Sequence, residues 1–168
     1  MEFTSASANK YLRRLQDEKD RLLRTEQEVS TYVLAEGEAA EPPAYDYGVV
    51  REKVAQIDGQ ARAIRHALHR FNMQTVLPER GITIDEALIL LAQLSGRKDR
   101  LNELASRQPQ ERLGNRYFGS STGPIEYRYA NYDVAQAEAD YRAVADEIAA
   151  LQLELDLVNQ TEVFLVEL

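Results

Sequence analysis

Residues 133–158 read DVAQAEADYRAVADEIAALQLELDLV, and this stretch decides the fold. Val134, Ala137, Tyr141, Val144, Ile148, Leu151, Leu155 and Val158 return every three or four positions. That spacing lines them along one edge of a helix, whereas a half-buried strand would alternate at every second residue. Asp133, with Gln136 three positions on, has the form of a capping box that opens such a helix. The pattern predicts a helix over residues 133–160.

The same spacing recurs upstream. Residues 46–74 carry Val50, Val54, Ile57, Ala61, Ile64, Leu68 and Phe71, a heptad seam of about three repeats. Gly59 lies inside it at a cost of about 1 kcal/mol relative to alanine, which the seam outweighs. Residues 84–107 carry Leu88, Leu91, Leu94, Leu101 and Leu104, and Thr83-Ile84-Asp85-Glu86 supplies a second capping box. Ser95-Gly96 marks a place for a bend. Residues 7–35 carry a narrower stripe of Leu12, Leu15, Leu22, Val29 and Val33, so this helix is expected to pack on one side only.

Between these segments stand breakers: Gly37 and Pro42-Pro43 in one connection, Pro78 and Gly81 in the next. Short connections favour antiparallel neighbours, and spacing near 3.5 favours left-handed coiled-coil packing. The expected fold is mainly α, an antiparallel four-helix bundle or set of coiled-coil hairpins in one domain over residues 1–168. The alternative is two helical hairpins that splay apart and bury their seams against other subunits.

Residues 108–132 differ in character. Tyr117-Phe118 precedes the turn-forming run from Gly119 to Gly123, and Ile125-Glu126-Tyr127-Arg128-Tyr129 alternates with strand period. A β-hairpin over residues 115–130, inserted between the third and fourth helices, is the reading. Val163-Phe164-Leu165-Val166 either continues the last helix or extends as a strand.

An apolar fraction of 44% with 29% charged residues fits a folded globular protein. The net charge of −8 repels phosphates and anionic lipid, which makes nucleic acid and membranes poor partners. That charge is uneven: residues 97–116 hold six basic residues against three acidic, while residues 133–158 hold Arg142 as their single basic residue. Opposite patches of this kind can steer one subunit onto another. The chain has no cysteine, so disulfides and thiolate chemistry are excluded. The first residues have no basic region followed by an apolar run, and the longest apolar run, residues 87–92, is far too short to span a bilayer. A cytoplasmic protein without membrane contact is expected.

Few residues suggest chemistry. His66 and His69 are spaced to share a helix face, but the seam sends both outward beside Arg65 and Arg70, and cationic neighbours oppose metal binding. Carboxylates such as Glu154 and Asp156 are read as lying away from the seam, solvated and ionised. No catalytic, metal or cofactor site is expected. The aromatic cluster Tyr117, Phe118, Tyr127, Tyr129, Tyr132 and Tyr141, interleaved with Arg116 and Arg128, has the composition of an interface. Tyr117, Phe118, Tyr127, Arg128 and Tyr129, with Phe164 and Leu165 of the tail, are the expected oligomer or partner contacts. These features predict a non-enzymatic, self-associating protein with a structural or scaffolding role. The second reading is an adaptor that docks a protein or nucleic acid through the Arg- and Tyr-rich residues 97–129. The third is a metal-dependent enzyme using His66, His69 and acidic residues.

The stretches His69-Arg70-Phe71-Asn72, Gly81-Ile82-Thr83-Ile84-Asp85-Glu86-Ala87-Leu88, Arg116-Tyr117, Ile125-Glu126-Tyr127-Arg128, Asp133-Val134 and Asn159-Gln160-Thr161 resemble the bacterial septicolysin family. Two family features are missing: an Arg-Asp pair is replaced by Leu90-Leu91-Ala92-Gln93, and no tryptophan follows the late asparagine. The resemblance implies a small helical protein without an established activity. It carries no pore-forming role, since the chain has neither tryptophan nor a membrane-length segment.

Overall fold

The computed structural model of the chain describes residues 1–113 and 125–168. Its elements run β1 (Glu2–Thr4), α1 (Ser5–Val29), α2 (Tyr47–Gln74), α3 (Ile84–Ala105), β2 (Gln110–Arg112), β3 (Tyr127–Tyr129), α4 (Val134–Thr161) and β4 (Val163–Leu165). The fold is mainly α, and the four helices fall on the four segments with apolar periodicity. By internal packing the chain divides into two compact units, residues 1–83 with 156–168, and residues 84–155.

In the first unit, α1 and α2 form an antiparallel hairpin. Tyr45 reaches Glu26 at its loop end, and Lys19 Nζ bonds the Asp58 carboxylate at 2.7 Å midway. The core gathers Phe3, Ala8, Leu15, Ile57, Ile64, Ala67 and Val166. Every position of the α2 heptad seam is buried or half-buried. Fully burying one such side chain is worth roughly 1.5–3 kcal/mol.

The bounds of α1 differ from expectation at both ends. Thr4 caps it: its Oγ1 accepts from Ser7 N at 3.1 Å, and Ser7 Oγ accepts from Thr4 N at 2.8 Å. Serine fills the place where a capping box usually has Glu or Gln, so the start fell outside the usual signature. The helix stops at Val29, and Val33, expected in its stripe, is 96% exposed. Beyond Val29 only that one apolar residue continued the edge, too little tertiary contact to hold another turn.

β1 and β4 pair antiparallel, with Phe3 opposite Phe164. The Met1 ammonium donates to Val166 O at 2.6 Å, and Val166 N donates to Met1 O at 2.8 Å. The tail is therefore a strand after the last helix. Strand period turns Phe164 and Val166 inward and Val163 and Leu165 outward. Phe71 and Phe164 lie 5.0 Å apart by ring centroids, and Phe3 meets the edge of Tyr11 at 5.4 Å.

The turn after α2 is closed by its own backbone. Leu77 N donates to Ile82 O, Gly81 N donates to Leu77 O, and the Leu77 side chain is fully buried. Gly81 has φ +68°, a conformation that glycine adopts without strain.

In the second unit, Ile84, Ala87 and Leu94 are the buried residues of α3, with Leu91, Leu101 and Leu104 half-buried. Leu88, expected in the stripe, is 45% exposed. It lies one position past Ala87 and so about 100° around the helix. On α4, Ala137, Val144, Ile148, Leu151 and Leu155 are buried and Val134 and Tyr141 half-buried, as the seam requires. Asp133 Oδ1 accepts from the amides of Ala135 and Gln136, but the Gln136 side chain bonds Asp140, so only half of the expected box forms. Glu154 is buried, against expectation. Three positions after Leu151 and four before Val158, it shares their edge of the helix.

Candidate interaction surface

A two-stranded hairpin is present, and its described first arm is β2. β2 pairs β3 in the register Gln110↔Tyr129, Glu111↔Arg128 and Arg112↔Tyr127. Leu113 N donates to Glu126 O at 2.9 Å and Ala130 N to Pro109 O at 3.0 Å, which extends the ladder at both ends. The expected range began at 115. Gln110-Glu111-Arg112 is exposed throughout, so it has no apolar alternation to betray a strand. Tyr117 and Phe118 lie outside the described residues.

Strand period sets the chemistry of the two faces. Tyr127 and Tyr129 share one face, 43% and 64% exposed, with ring centroids 6.4 Å apart. Gln110 and Arg112 stand opposite them, and Gln110 Nε2 donates to the Tyr129 hydroxyl at 3.3 Å. Arg128 turns to the other face, where Nη1 lies 3.6 Å from the Glu111 carboxylate. Both partners are exposed, so this pair adds little stability. A recess of about 470 Å³ opens between Ser106, Arg107, Gln108, Glu111, Arg128 and Tyr129. The Tyr132 hydroxyl donates to Leu104 O at 2.8 Å, tying the chain just after the hairpin to the end of α3.

The tail residues part company. Phe164 is half-buried against Phe3 and Phe71 of its own unit, whereas Leu165 is 74% exposed. His66 and His69 are exposed on α2. Among the described residues no group of three or more His, Asp or Glu is placed to hold a metal ion, and no helix is long and apolar enough to cross a membrane.

The loop between α1 and α2 presents a surface that the sequence reading passed over. Tyr32, Val33 and Leu34 are 50%, 96% and 42% exposed, in a stretch that the stripe had assigned to the first helix. Glu36, Glu38 and Glu41 follow, all exposed. The Glu38 carboxylate accepts from Ala35 N at 3.0 Å, and Gly37 turns the chain at φ +88°.

At the foot of this loop the Tyr45 hydroxyl donates to Glu26 Oε1 at 2.6 Å. The bond to the carboxylate, with desolvation and the Glu26 charge adding to it, raises the Tyr45 pKa from 10.0 to about 12. A raised native pKa means that stabilisation by the phenol is complete below pH 10 and lost as pH rises through 12. The stability difference between wild type and Tyr45→Phe should therefore shrink between these pH values. Denaturant titrations at a series of pH values measure it, and a constant difference would disprove the coupling.

One solved structure shares the fold. A functionally unknown conserved protein from Corynebacterium diphtheriae matches 98% of this chain and 100% of its own length, with a TM-score of 0.62 at 19% identity. No protein-family model matches the chain, and no curated protein matches it.

Proposed function

We propose that this chain is a non-enzymatic, self-associating helical protein of the cytoplasm with a structural or scaffolding role, assembling as a homo-oligomer. One observation carries the reading: Tyr127 and Tyr129 sit side by side on one face of a short hairpin, largely exposed. Tyrosine pairs a large apolar ring with a polar edge, and covering two such rings gains more than covering scattered aliphatics. Leu165, outward on β4, offers a second apolar contact. The cysteine-free composition agrees with a reducing compartment. The septicolysin resemblance adds no activity to this reading.

Light scattering at micromolar concentration tests it. The native mass should be a multiple of 19.1 kDa, and Tyr127→Ser with Tyr129→Ser should return it toward 19.1 kDa with the helical circular dichroism unchanged. A wild-type mass of 19.1 kDa would overturn the reading.

The recess holding Arg107 and Arg128 supports a second reading, an adaptor that takes an acidic protein or nucleic acid there. It requires salt-sensitive binding, and no mobility shift with single-stranded DNA or RNA at low salt would remove the nucleic acid version.

A further inference from the structure

The loop that joins α1 to α2 is unusual for a compact helical protein. Residues 30–46 form no regular element, and connections beyond about 12–15 residues without structure of their own are uncommon and are either functional or plain linkers. This one contains Glu36, Glu38, Glu41 and Asp46 and no lysine or arginine. Near its start stand Tyr32, Val33 and Leu34, which are 50%, 96% and 42% exposed.

The hairpin region has the opposite character. Arg112 shares the face of Tyr127 and Tyr129, Arg128 lies on the opposite face and Arg107 beside the recess, all three exposed, against Glu111 and Glu126 among the described residues from 107 to 130. The recess beside it is lined by Arg107, Arg128 and Tyr129, with Glu111 paired to Arg128. Aromatic rings next to guanidinium groups suit a segment in which apolar residues precede carboxylates. Tyr32 and Glu36 are four positions apart, up to about 14 Å of extended chain, enough for one segment to reach both the rings and the arginines.

We propose that the hairpin face of one copy binds the 32–41 loop of a second copy, with Tyr32, Val33 and Leu34 over Tyr127 and Tyr129 and the loop carboxylates on Arg107 and Arg112. This rests on the self-association reading and names its contact. A second copy is the occupant because the chain itself supplies both halves of the charge and apolar match. The strongly acidic balance of the whole protein disfavours a nucleic acid strand in the same place. The two surfaces differ, so the contact is heterologous, and it builds a ring or an open chain of subunits instead of a two-fold dimer.

Two charge-reversed variants test the pairing. Glu36→Lys with Glu41→Lys alters the loop and leaves the Glu38 turn intact. Arg107→Glu with Arg112→Glu alters the hairpin and leaves Arg128 with Glu111. Each variant alone should fall to 19.1 kDa by light scattering, with helical circular dichroism retained. An equimolar mixture should regain the larger mass, because each reversed surface then meets its complement. Added salt should dissociate wild type and mixture alike. If both variants keep the wild-type mass while the Tyr127→Ser, Tyr129→Ser protein loses it, self-association stands and the loop is not the occupant. Loss of mass without recovery on mixing also overturns the pairing. A monomeric wild type overturns the pairing and self-association together.

Discussion

Phe3→Ala should lower the free energy of unfolding by about 3–5 kcal/mol, a large share of the total for a protein of this size. Phe3 is 5% exposed, though it stands in a strand of three residues at the start of the sequence. Its ring meets Tyr11 at 5.4 Å and Phe164 at 6.4 Å, and its strand partner brings Val166 into the same core. Removing the ring takes away these contacts and leaves a cavity in the core. Leu165→Ala, across the same ribbon but 74% exposed, should change stability by less than about 0.5 kcal/mol. Denaturant titration followed by circular dichroism compares the two. Equal effects would show that the ribbon does not seal the core.

The second large effect lies in the other unit. Leu151→Ala should cost about 2–5 kcal/mol, and Leu153→Ala, two positions along the same helix, less than about 0.5 kcal/mol. Both residues are leucines of α4, so helix propensity changes equally. Only burial differs, with Leu151 at 0% and Leu153 at 73% exposure. Two residues turn a helix by about 200°, which carries one side chain to the far side from the other. Comparable losses in the two variants would contradict the assignment of the seam.

The long seams were legible because periodicity accumulates over many residues: every seam position named on α2 and α4 is buried or half-buried. Short or polar features left no such trace. β1 has three residues and a partner at the far end of the sequence, so no local pattern announced it. Gln110-Glu111-Arg112 forms a strand by backbone pairing alone, with no apolar side chain to mark a face. On α3 a leucine seemed the better core residue than alanine, yet the edge set by Ile84 and Leu91 runs through Ala87. Glu154 was read outward from its charge, although position on the helix places it inward. For the candidate surface, Tyr127, Arg128 and Tyr129 were readable from strand alternation. Tyr32, Val33 and Leu34 were not, because a stripe ending in Val33 had assigned them to a helix.

The pairing of Phe3 with Phe164 also governs the order of events during protein synthesis. The ribosome makes Phe164 on the order of 10–30 s after Phe3 at ordinary elongation rates. Until then α1 and α2 can come together, but one end of their core stays open to water. The nascent chain carries that oily gap throughout the interval, and it closes only when β4 clears the exit tunnel.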